Sequence, residues 1–417
     1  MNAADQSPKQ ILSAAWVAPM DQPMIRDGAV VIQAGHIVAV GEVRQLRAEH
    51  PDAVHGDCGN VVLLPGLVNA HVHLDLTGTP RPPGPISFAD WVQHLIAHAV
   101  PYQEPSHWIQ KAKSGCRHSL GFGVTAVGDI CGRFARVVRA ALIDEPIHIT
   151  SYGEISAMAQ RRHLLEPRLA AAVDATGIPN SLRIGITPHA PYSIEAEGYR
   201  RCLAAAKAQR LPLATHLAEL PYEAKFLSHH SGPLRDLWNL LGGWDDQVPT
   251  FDGGPIRYAQ SLGLLAYPIL LAHVNYCDDN ELAILAKGSA SVVYCPRTHQ
   301  YFGHPPHRWR EMLAAGINVA LGTDSTASSP DLNLLDDLRL VHRLASDMPV
   351  ETLWQLVTVR AAKAIDDSRV GVLTVGKRAD IVAFAAEGPE PLRDILQTSA
   401  LPNQVWVAGA EQSIGGS

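Results

Sequence analysis

The sequence predicts an α/β fold, a (β/α)8 barrel with a small β-sandwich built from both chain ends. Eight short apolar runs alternate with helix-like segments between residues 60 and 326. Alternation of strand and helix implies parallel pairing, and eight repeats imply closure into a TIM barrel. Strand-like segments at the two ends do not fit this barrel. The predicted domains are therefore the barrel, 61–365, and the two parts of the sandwich, 1–60 and 366–417.

The predicted barrel strands are short apolar segments that stop at loops. They cover 61–65, 124–130, 147–153, 183–188, 211–216, 269–273, 290–295 and 317–323. The predicted helices between them include 132–143, 158–173, 194–209, 278–288 and 307–315. Two connections, 74–120 and 220–260, are much longer than usual, and long loops inside a compact domain are usually functional. We expect them to form walls and a lid over the barrel mouth.

The chain ends contain isolated strand patterns. Residues 28–40 predict a hairpin that turns near Ala34 and Gly35. Residues 371–384 are strand-like, and a last short run begins at Asn403. Each piece is too small to bury a core alone, so we expect the two ends to combine beside the barrel.

Bulk composition excludes several classes of protein. Hydrophobic residues make up 47% of the chain and charged residues 18%, which suits a large buried core. The net charge of −7 and the lack of a basic stretch argue against nucleic-acid binding. Six cysteines are widely spaced, with no C-x-x-C pair, so we expect reduced thiols. No signal peptide or membrane span is predicted, and the expected location is the cytoplasm.

Ionisable side chains follow four of the predicted strands. His71 and His73 alternate after the first apolar run, so they would share one strand face and bind one metal ion together. His216 and Glu219 follow a second run, and His273 and Asp324 each end another. A single such residue is more often a solvated strand end. Because the active site of a parallel barrel forms where its strands end, the four ends together predict a metal site there.

Characteristic motifs occur along nearly the whole chain, namely PGLVNAHVHLD, GVTAVGD, PHAPYS, THLAE, LAHVNY, YCPRTH, GTDS and GVLTVGKRADIV. In these motifs the chain resembles the amidohydrolase superfamily. Within it, the most similar branch is that of the aminohydrolases, which contains cytosine, guanine, S-adenosylhomocysteine and aminofutalosine deaminases and triazine chlorohydrolases.

The resemblance implies a set of metal ligands, namely His71, His73, His216 and Asp324. Three imidazoles, one carboxylate and a water suit a catalytic divalent ion, with Zn²⁺ as first choice and Fe²⁺ or Mn²⁺ as alternatives. Many relatives with two metals use a carboxylated lysine on a central strand. None of the eight lysines lies on a predicted barrel strand, and the equivalent strand carries Thr187. We therefore predict one metal per chain.

The implied reaction is hydrolysis at a ring carbon that bears an amino group. A metal ion lowers the pKa of its bound water, and the resulting hydroxide attacks that carbon. His273 and Asp324 take the water's proton, while Glu219 protonates the ring nitrogen and assists loss of ammonia. On an ideal strand Glu219 would face away from His216, so the hypothesis requires that the chain turns there.

Two other functions compete with deamination. One is a related hydrolysis, either displacement of chloride from a triazine or opening of a cyclic amide such as an imidazolone. An intact Glu219 favours deamination, because expelling ammonia demands proton delivery and expelling chloride does not. The other is a metal-binding homologue without turnover. A missing metal ligand would have supported that alternative, but all six ligand and proton-transfer positions are filled. The expected partner is a small heterocyclic substrate, and the outer surface leaves room for a homodimer.

Candidate substrate-binding residues follow from the same alignment of motifs. His189 matches a position that often contacts substrate, although a structural histidine is an alternative. Asp75 would either reach the ligand or cap the next turn. Glu154 ends the third predicted strand, and Arg297 and His299 stand at another strand end.

Overall fold

The computed structural model describes residues 7–132, 134–179 and 181–414. Its strands are β1 Gln10–Val17, β2 Ile25–Gln33, β3 His36–Glu42, β4 Val54–Asp57, β5 Val61–Pro65, β6 Leu67–Val72, β7 Val124–Cys131, β8 His148–Ile155, β9 Leu182–Pro188, β10 Leu213–Leu217, β11 Ile269–His273, β12 Ser291–Tyr294, β13 Asn318–Leu321, β14 Ile381–Ala385, β15 Gln404–Val407 and β16 Ala410–Gln412.

The α-helices are α1 Val43–Glu49, α2 Phe88–Ala99, α3 Pro105–Gly121, α4 Ala135–Ala141, α5 Leu165–Val173, α6 Ala196–Gln209, α7 Glu223–His229, α8 Pro233–Leu240, α9 Gly254–Ser261, α10 Asp279–Ala286, α11 Pro296–Tyr301, α12 Trp309–Ala314, α13 Leu334–Leu344, α14 Val350–Gln355, α15 Val359–Ala364 and α16 Pro391–Gln397. Short 3₁₀ helices cover Leu74–Leu76, Ala159–Leu164 and Leu264–Ala266. None of the helices in the described part of the chain combines the length and apolar character needed to span a bilayer.

Strands β6 to β13 form one parallel sheet in chain order, as the alternation predicts. The two outermost strands approach each other, since Val72 forms a parallel bridge with Asp324. Below that bridge the chain after α14 fills the gap: Leu321 donates its N–H to the carbonyl of Leu356 at 3.0 Å, and Val68 donates to that of Val357 at 2.8 Å. The barrel prediction is therefore confirmed.

The predicted first barrel strand, 61–65, is wrong. That segment is β5, which pairs with β1 and β14 of the other sheet, and the barrel begins with β6. Both strands are buried throughout, so hydrophobicity does not separate them. Gly66 allows the crossing, because a Cβ there would lie 2.1 Å from Oγ1 of Thr125. The other seven predicted strands correspond to β7–β13 within a few residues.

Both chain ends form a second sheet, as expected. Its order is β16-β15-β14-β5-β1-β2-β3, with β4 beside β1, so the described terminal strands join one hydrogen-bonded sheet. The predicted hairpin is β2 and β3, which pair antiparallel around Ala34 and Gly35. The domain boundaries themselves stay a prediction.

The two long connections contain helices rather than extended loops. Residues 74–120 hold α2 and α3, and 220–260 hold α7, α8 and most of α9. Helix α2 begins at Ser87, whose Oγ accepts the N–H of Asp90 at 3.1 Å, which is a standard N-terminal cap. Of these helices, α2, α3 and α8 contribute residues to the walls of the cavity described next.

Candidate metal centre

Four histidines from three barrel strands meet at the carboxyl end of the barrel. His71 lies in β6, His73 directly follows it, His216 lies in β10, and His273 ends β11. The ring centroid of His71 lies 5.1 Å from that of His73, 4.9 Å from that of His216 and 5.4 Å from that of His273. Asp324 follows β13 and places Oδ1 3.5 Å from Nε2 of His73. The structure thus brings together all five of these predicted residues.

The arrangement has the donor set and spacing of a cation site. Among the described residues, one candidate ligand group is His71, His73 and Asp324, and another is His71, His216 and His273. Within each group the ligand atoms lie within 4.8 Å of one another. His71 is fully buried, and neither of its ring nitrogens has a hydrogen-bond partner in the described part of the chain. A buried imidazole without a partner is costly unless a ligand satisfies it, so these residues fit a divalent metal.

Burial keeps the histidines in the form that binds metals. It lowers the pKa of His71 and of His216 well below the usual value, and the neighbouring histidines add to the effect. Burial also lowers the pKa of His73, although Asp324 opposes that shift. A metal ligand must be the neutral imidazole, so the three side chains are prepared for coordination.

His216 is oriented by a backbone carbonyl. Its Nδ1 lies 3.1 Å from the carbonyl oxygen of His189, which also accepts the N–H of His216 at 2.8 Å. Metal-binding histidines usually donate their second ring nitrogen in this way, which directs Nε2 toward the ion. The side chain of His189 contacts Oγ of Ser193 at 2.7 Å and faces the same cavity.

Asp324 is held by the loop that follows β13. Its Oδ1 accepts the N–H of Ser325 at 2.8 Å, and its Oδ2 accepts the hydroxyl of Ser328 at 3.1 Å. The backbone of Asp324 has φ +59°, a conformation that turns the side chain inward after the strand. These contacts fix both oxygens of the carboxylate.

Glu219 faces the cavity because the chain turns after β10. Ala218 has φ +50°, and the carboxylate of Glu223 accepts the N–H groups of Ala218, Glu219 and Leu220 at 3.1, 2.6 and 2.9 Å. As a result, Oε1 of Glu219 lies 3.7 Å from Nε2 of His273. The requirement that the chain leaves the strand direction before Glu219 is therefore met.

The backbone carbonyl of His273 is in hydrogen-bond contact with a buried histidine, His307. His273 has φ +73°, and its carbonyl oxygen lies 2.8 Å from Nε2 of His307. His307 lies in the loop between α11 and α12, is buried, and stacks its ring on Tyr294 with centroids 4.2 Å apart.

A cavity of about 390 Å³ opens onto these side chains. One wall is the face of α2, whose lining residues recur at helical spacing: Phe88, Trp91, Val92, Leu95, Ile96 and Ala99. Leu237 and Trp238 of α8, a helix in contact with α2, also line the cavity. Trp108 of α3 also lines the cavity. The size is typical of a small-molecule site.

The other predicted substrate residues divide into two groups. Asp75 and Glu154 line the cavity, and Oδ2 of Asp75 also accepts the N–H of Gly132 at 3.2 Å. Arg297 and His299 are not among the described lining residues. Arg297 instead donates to the buried Asp337 at 2.9 Å, because that carboxylate needs a cation.

His299 is buried beside other rings and has a different environment from the one expected. Its ring packs against Tyr294, His304 and His307, at centroid distances of 5.3, 5.4 and 5.9 Å. Burial lowers its pKa to about 4. His299 lies within α11 and is not among the described residues that line the cavity.

Sequence reasoning missed four residues that hold the site: Tyr192, Glu223, His307 and Ser328. Tyr192 was visible as part of PHAPYS, but its partner Glu219 is 27 residues away. Glu223 follows Glu219 at a spacing of four residues, which is the one local signal that a turn-capping carboxylate was present. Nothing in the sequence indicated the partners of His307 or Ser328.

Comparison with known proteins gives a family match over most of the chain. Residues 62–411 match the amidohydrolase family, and residues 28–53 match the imidazolonepropionase-like composite domain of bacteria. A 5-methylthioadenosine/S-adenosylhomocysteine deaminase of Nitratidesulfovibrio vulgaris is 28% identical over 404 residues, which cover 91% of this chain and 84% of the relative.

Two crystal structures show the same fold. Helicobacter pylori aminofutalosine deaminase in complex with methylthio-coformycin has a TM-score of 0.85 and 20% identity, covering 97% of this chain and 100% of that one. An adenosine deaminase from Xanthomonas campestris with bound zinc has a TM-score of 0.80 and 21% identity, covering 97% of this chain and 92% of that one.

Proposed function

This chain belongs to the amidohydrolase family, and we propose that it is a mononuclear metal-dependent deaminase. It hydrolyses a carbon–nitrogen bond in an aminated heterocycle and releases ammonia. The observation that carries this proposal is the position of Glu219, which shares one cavity with the histidine and aspartate cluster and lies 3.7 Å from His273. A metal site alone would fit many proteins, but a carboxyl group beside it fits proton delivery to a leaving group.

We propose His71, His73, His216 and Asp324 as the residues that hold the metal. His216 fits this role because its Nδ1 is engaged by a carbonyl, whereas His273 is directed toward Glu219. Zinc is the ion of choice, supported by the donor set and by the zinc in the related Xanthomonas structure. A count of one ion is supported by β9, which carries Thr187 where a bridging lysine would be needed.

The protein side chains then divide the proton transfers between them. A bound divalent cation lowers the pKa of a coordinated water toward neutrality and so supplies the nucleophile. Nε2 of His273 and the carboxylate of Asp324 would orient such a water, and one of the two would accept its proton. Oε1 of Glu219 gives a proton to the ring nitrogen next to the reacting carbon, which lets that carbon accept the attack. The proton taken from the water then passes, with Glu219 assisting, to the departing amino group, which leaves as ammonia. Glu219 recovers its own proton from the new hydroxyl group as the carbonyl forms.

The cavity supports a flat, aromatic substrate of nucleoside size. Its walls are rich in aromatic and aliphatic side chains, including Trp91 of α2 and Trp238 of α8. Asp75 and Glu154 offer carboxylate oxygens that would bind hydroxyl or amino groups. The relative from Nitratidesulfovibrio vulgaris is named for adenosine derivatives, so aminopurine nucleosides are the first substrates to test.

We also propose a cytoplasmic location, which is supported by six free cysteines.

The test is ammonia release from a panel of aminated heterocycles, with metal content measured on the same sample. The panel contains purines, adenosine-type nucleosides, pterins, pyrimidines and aminotriazines, and protein stripped by a chelator is the matched control. We expect ammonia from one class, about one metal per chain, and no ammonia from the stripped protein.

Loaded protein that releases no ammonia from any compound would overturn the deaminase proposal. In that case release of chloride from chlorotriazines, or opening of cyclic amides, would identify the related hydrolytic reactions instead. Full activity in the stripped protein would overturn the role of the metal.

A further inference from the structure

The side chain of Glu219 accepts a hydrogen bond from Tyr192. Tyr192 lies in the segment after β9, is 6% exposed, and donates its hydroxyl to Oε2 of Glu219 at 2.8 Å. Burial, followed by the negative charges of Glu219 and Glu223, raises the pKa of the phenol well above its usual value. The hydroxyl therefore stays protonated and acts as a donor to the carboxyl group.

The two oxygens of Glu219 consequently have different surroundings. Oε2 accepts the tyrosine hydroxyl, whereas Oε1 lies 3.7 Å from Nε2 of His273 on the side of the metal cluster. A carboxyl group that is free to rotate presents either oxygen to a substrate. A hydrogen bond to one oxygen stops that exchange and leaves the other oxygen for proton transfer.

Tyr192 is itself held by residues that line the cavity. It packs edge-on against Phe88 of α2 with centroids 6.0 Å apart, and against His189 at 5.7 Å. The indole nitrogen of Trp238 in α8 donates to the backbone carbonyl of Tyr192 at 2.8 Å. The phenol thus connects Glu219 to the two helices that would enclose a substrate.

We propose that Tyr192 is a positioning residue for Glu219. Its hydrogen bond to Oε2 makes Oε1 the oxygen that carries the transferred proton, and its ring ties that orientation to the walls formed by α2 and α8. This inference rests on the proposed function, because it assigns a task to the proton-transfer step of that reaction. It needs no contact between Tyr192 and the metal.

The test is a double-mutant cycle of Tyr192→Phe and Glu219→Gln, with kcat, KM, metal content and melting temperature measured for each variant. Tyr192→Phe keeps the ring and removes only the hydroxyl. We expect kcat to fall about 10- to 100-fold, the kinetic equivalent of one hydrogen bond to a charged group. KM should change by less than about threefold, and metal content should stay at the wild-type level, because the loss concerns the transition state.

In the Glu219→Gln background, Tyr192→Phe should reduce kcat no further, since the residue that it positions is already disabled. The matched control is Tyr199→Phe, which removes another buried hydroxyl, bonded to Oγ1 of Thr215 at 3.0 Å. It should leave the kcat of the wild-type chain within about twofold.

The outcomes separate the two proposals. Wild-type protein that carries metal but releases no ammonia overturns the proposed function, and the role of Tyr192 falls with it. An active wild type with an unimpaired Tyr192→Phe variant overturns the role of Tyr192 alone. Equal losses of kcat in both backgrounds, or loss of metal in Tyr192→Phe, would assign the hydroxyl to maintenance of the structure and also overturn the inference.

Discussion

The carboxylate of Glu223 accepts the backbone N–H of Glu219 at 2.6 Å. The same side chain accepts the N–H groups on either side, so one buried carboxylate holds the whole turn that carries Glu219 into the cavity. The left-handed backbone of Ala218 is part of this turn. A residue outside the cavity lining therefore decides where the proposed proton donor points.

Glu223→Ala should damage both stability and turnover. Three buried N–H groups lose their acceptor, and an unsatisfied buried donor costs about 1–3 kcal/mol. We expect a lower free energy of unfolding in urea and at least about a tenfold loss of kcat in ammonia release, because Glu219 loses its position. Glu281→Ala is the control: Glu281 caps the start of α10, and its loss should lower stability only. Unchanged kcat in Glu223→Ala would contradict the positioning role of the turn.

The stability of the protein should depend on pH through Glu223. Burial raises its pKa from 4.5 to about 8, although backbone donors oppose the shift and Glu219 adds to it. A carboxyl group whose pKa is raised in the folded state contributes stability that is complete below pH 4.5 and is lost as pH rises through about 8. Glu223→Gln should flatten the curve of unfolding free energy against pH in that window. Parallel curves for both proteins would contradict the assignment.

Glu219→Gln should retain the metal and lose most of its activity. The amide keeps the shape of the side chain but cannot deliver a proton, and a positioned acid contributes about 10²–10⁴-fold to rate. Metal analysis and steady-state kinetics on the preferred substrate measure the two effects. Near-normal turnover would remove Glu219 from the proton-transfer role.

The Asp324→Ala variant should lose its metal ion. The Ser328→Ala variant should still bind the ion, but with lower affinity. Ser328 donates to Oδ2 of Asp324, and loss of a partner of this kind lowers metal affinity about 10- to 100-fold. Competition with a chelator measures the affinity. The neighbouring Ser329, whose buried hydroxyl has no partner in the described part of the chain, gives the matched control Ser329→Ala, with affinity unchanged. A fully loaded Asp324→Ala protein would show that the proposed ligand set is incorrect.

Arg297→Ala should destabilise the protein rather than change substrate binding. Its guanidinium donates to Asp337, which is fully buried. Removing one partner of a buried pair costs about 3–5 kcal/mol, because the other charge is left uncompensated. Urea unfolding should show this loss, while KM stays near the wild-type value. The exposed pair of Arg310 and Asp347 provides the control, since its loss should change stability little. A rise in KM without destabilisation would restore Arg297 as a substrate residue.

Local patterns predicted most of the barrel but misplaced its start. Seven strands were identified because each is a short apolar run between helix-like segments, and the error at 61–65 arose where two buried strands meet at Pro65 and Gly66. Helix α2 was missed, although Ser87 is a good cap and the apolar residues after it have helical spacing. The proline-rich sequence before this helix, residues 80–85, is typical of a loop.

The sequence also predicted only part of the candidate site. His71, His73, His216, His273 and Asp324 were predicted to converge because strand ends of a parallel barrel meet at one edge, and the structure places them together. Arg297 and His299 also follow a strand, but both lie within α11 and neither is among the described residues that line the cavity. The position of a residue at a strand end was thus insufficient to predict its contacts.

Local sequence patterns predicted the alternation of strands and helices, the joining of both ends in one sheet, and the order of the ionisable strand ends. Each of these depends on residue spacing and chain order, which one sequence contains. The hydrogen bond of Tyr192 to Glu219, the contact of His307 with His273 and the pairing of Arg297 with Asp337 follow instead from the three-dimensional fold. These contacts join residues 27, 34 and 40 positions apart. They form because the closed barrel and its loops bring distant side chains together, and no local sequence pattern encodes that arrangement.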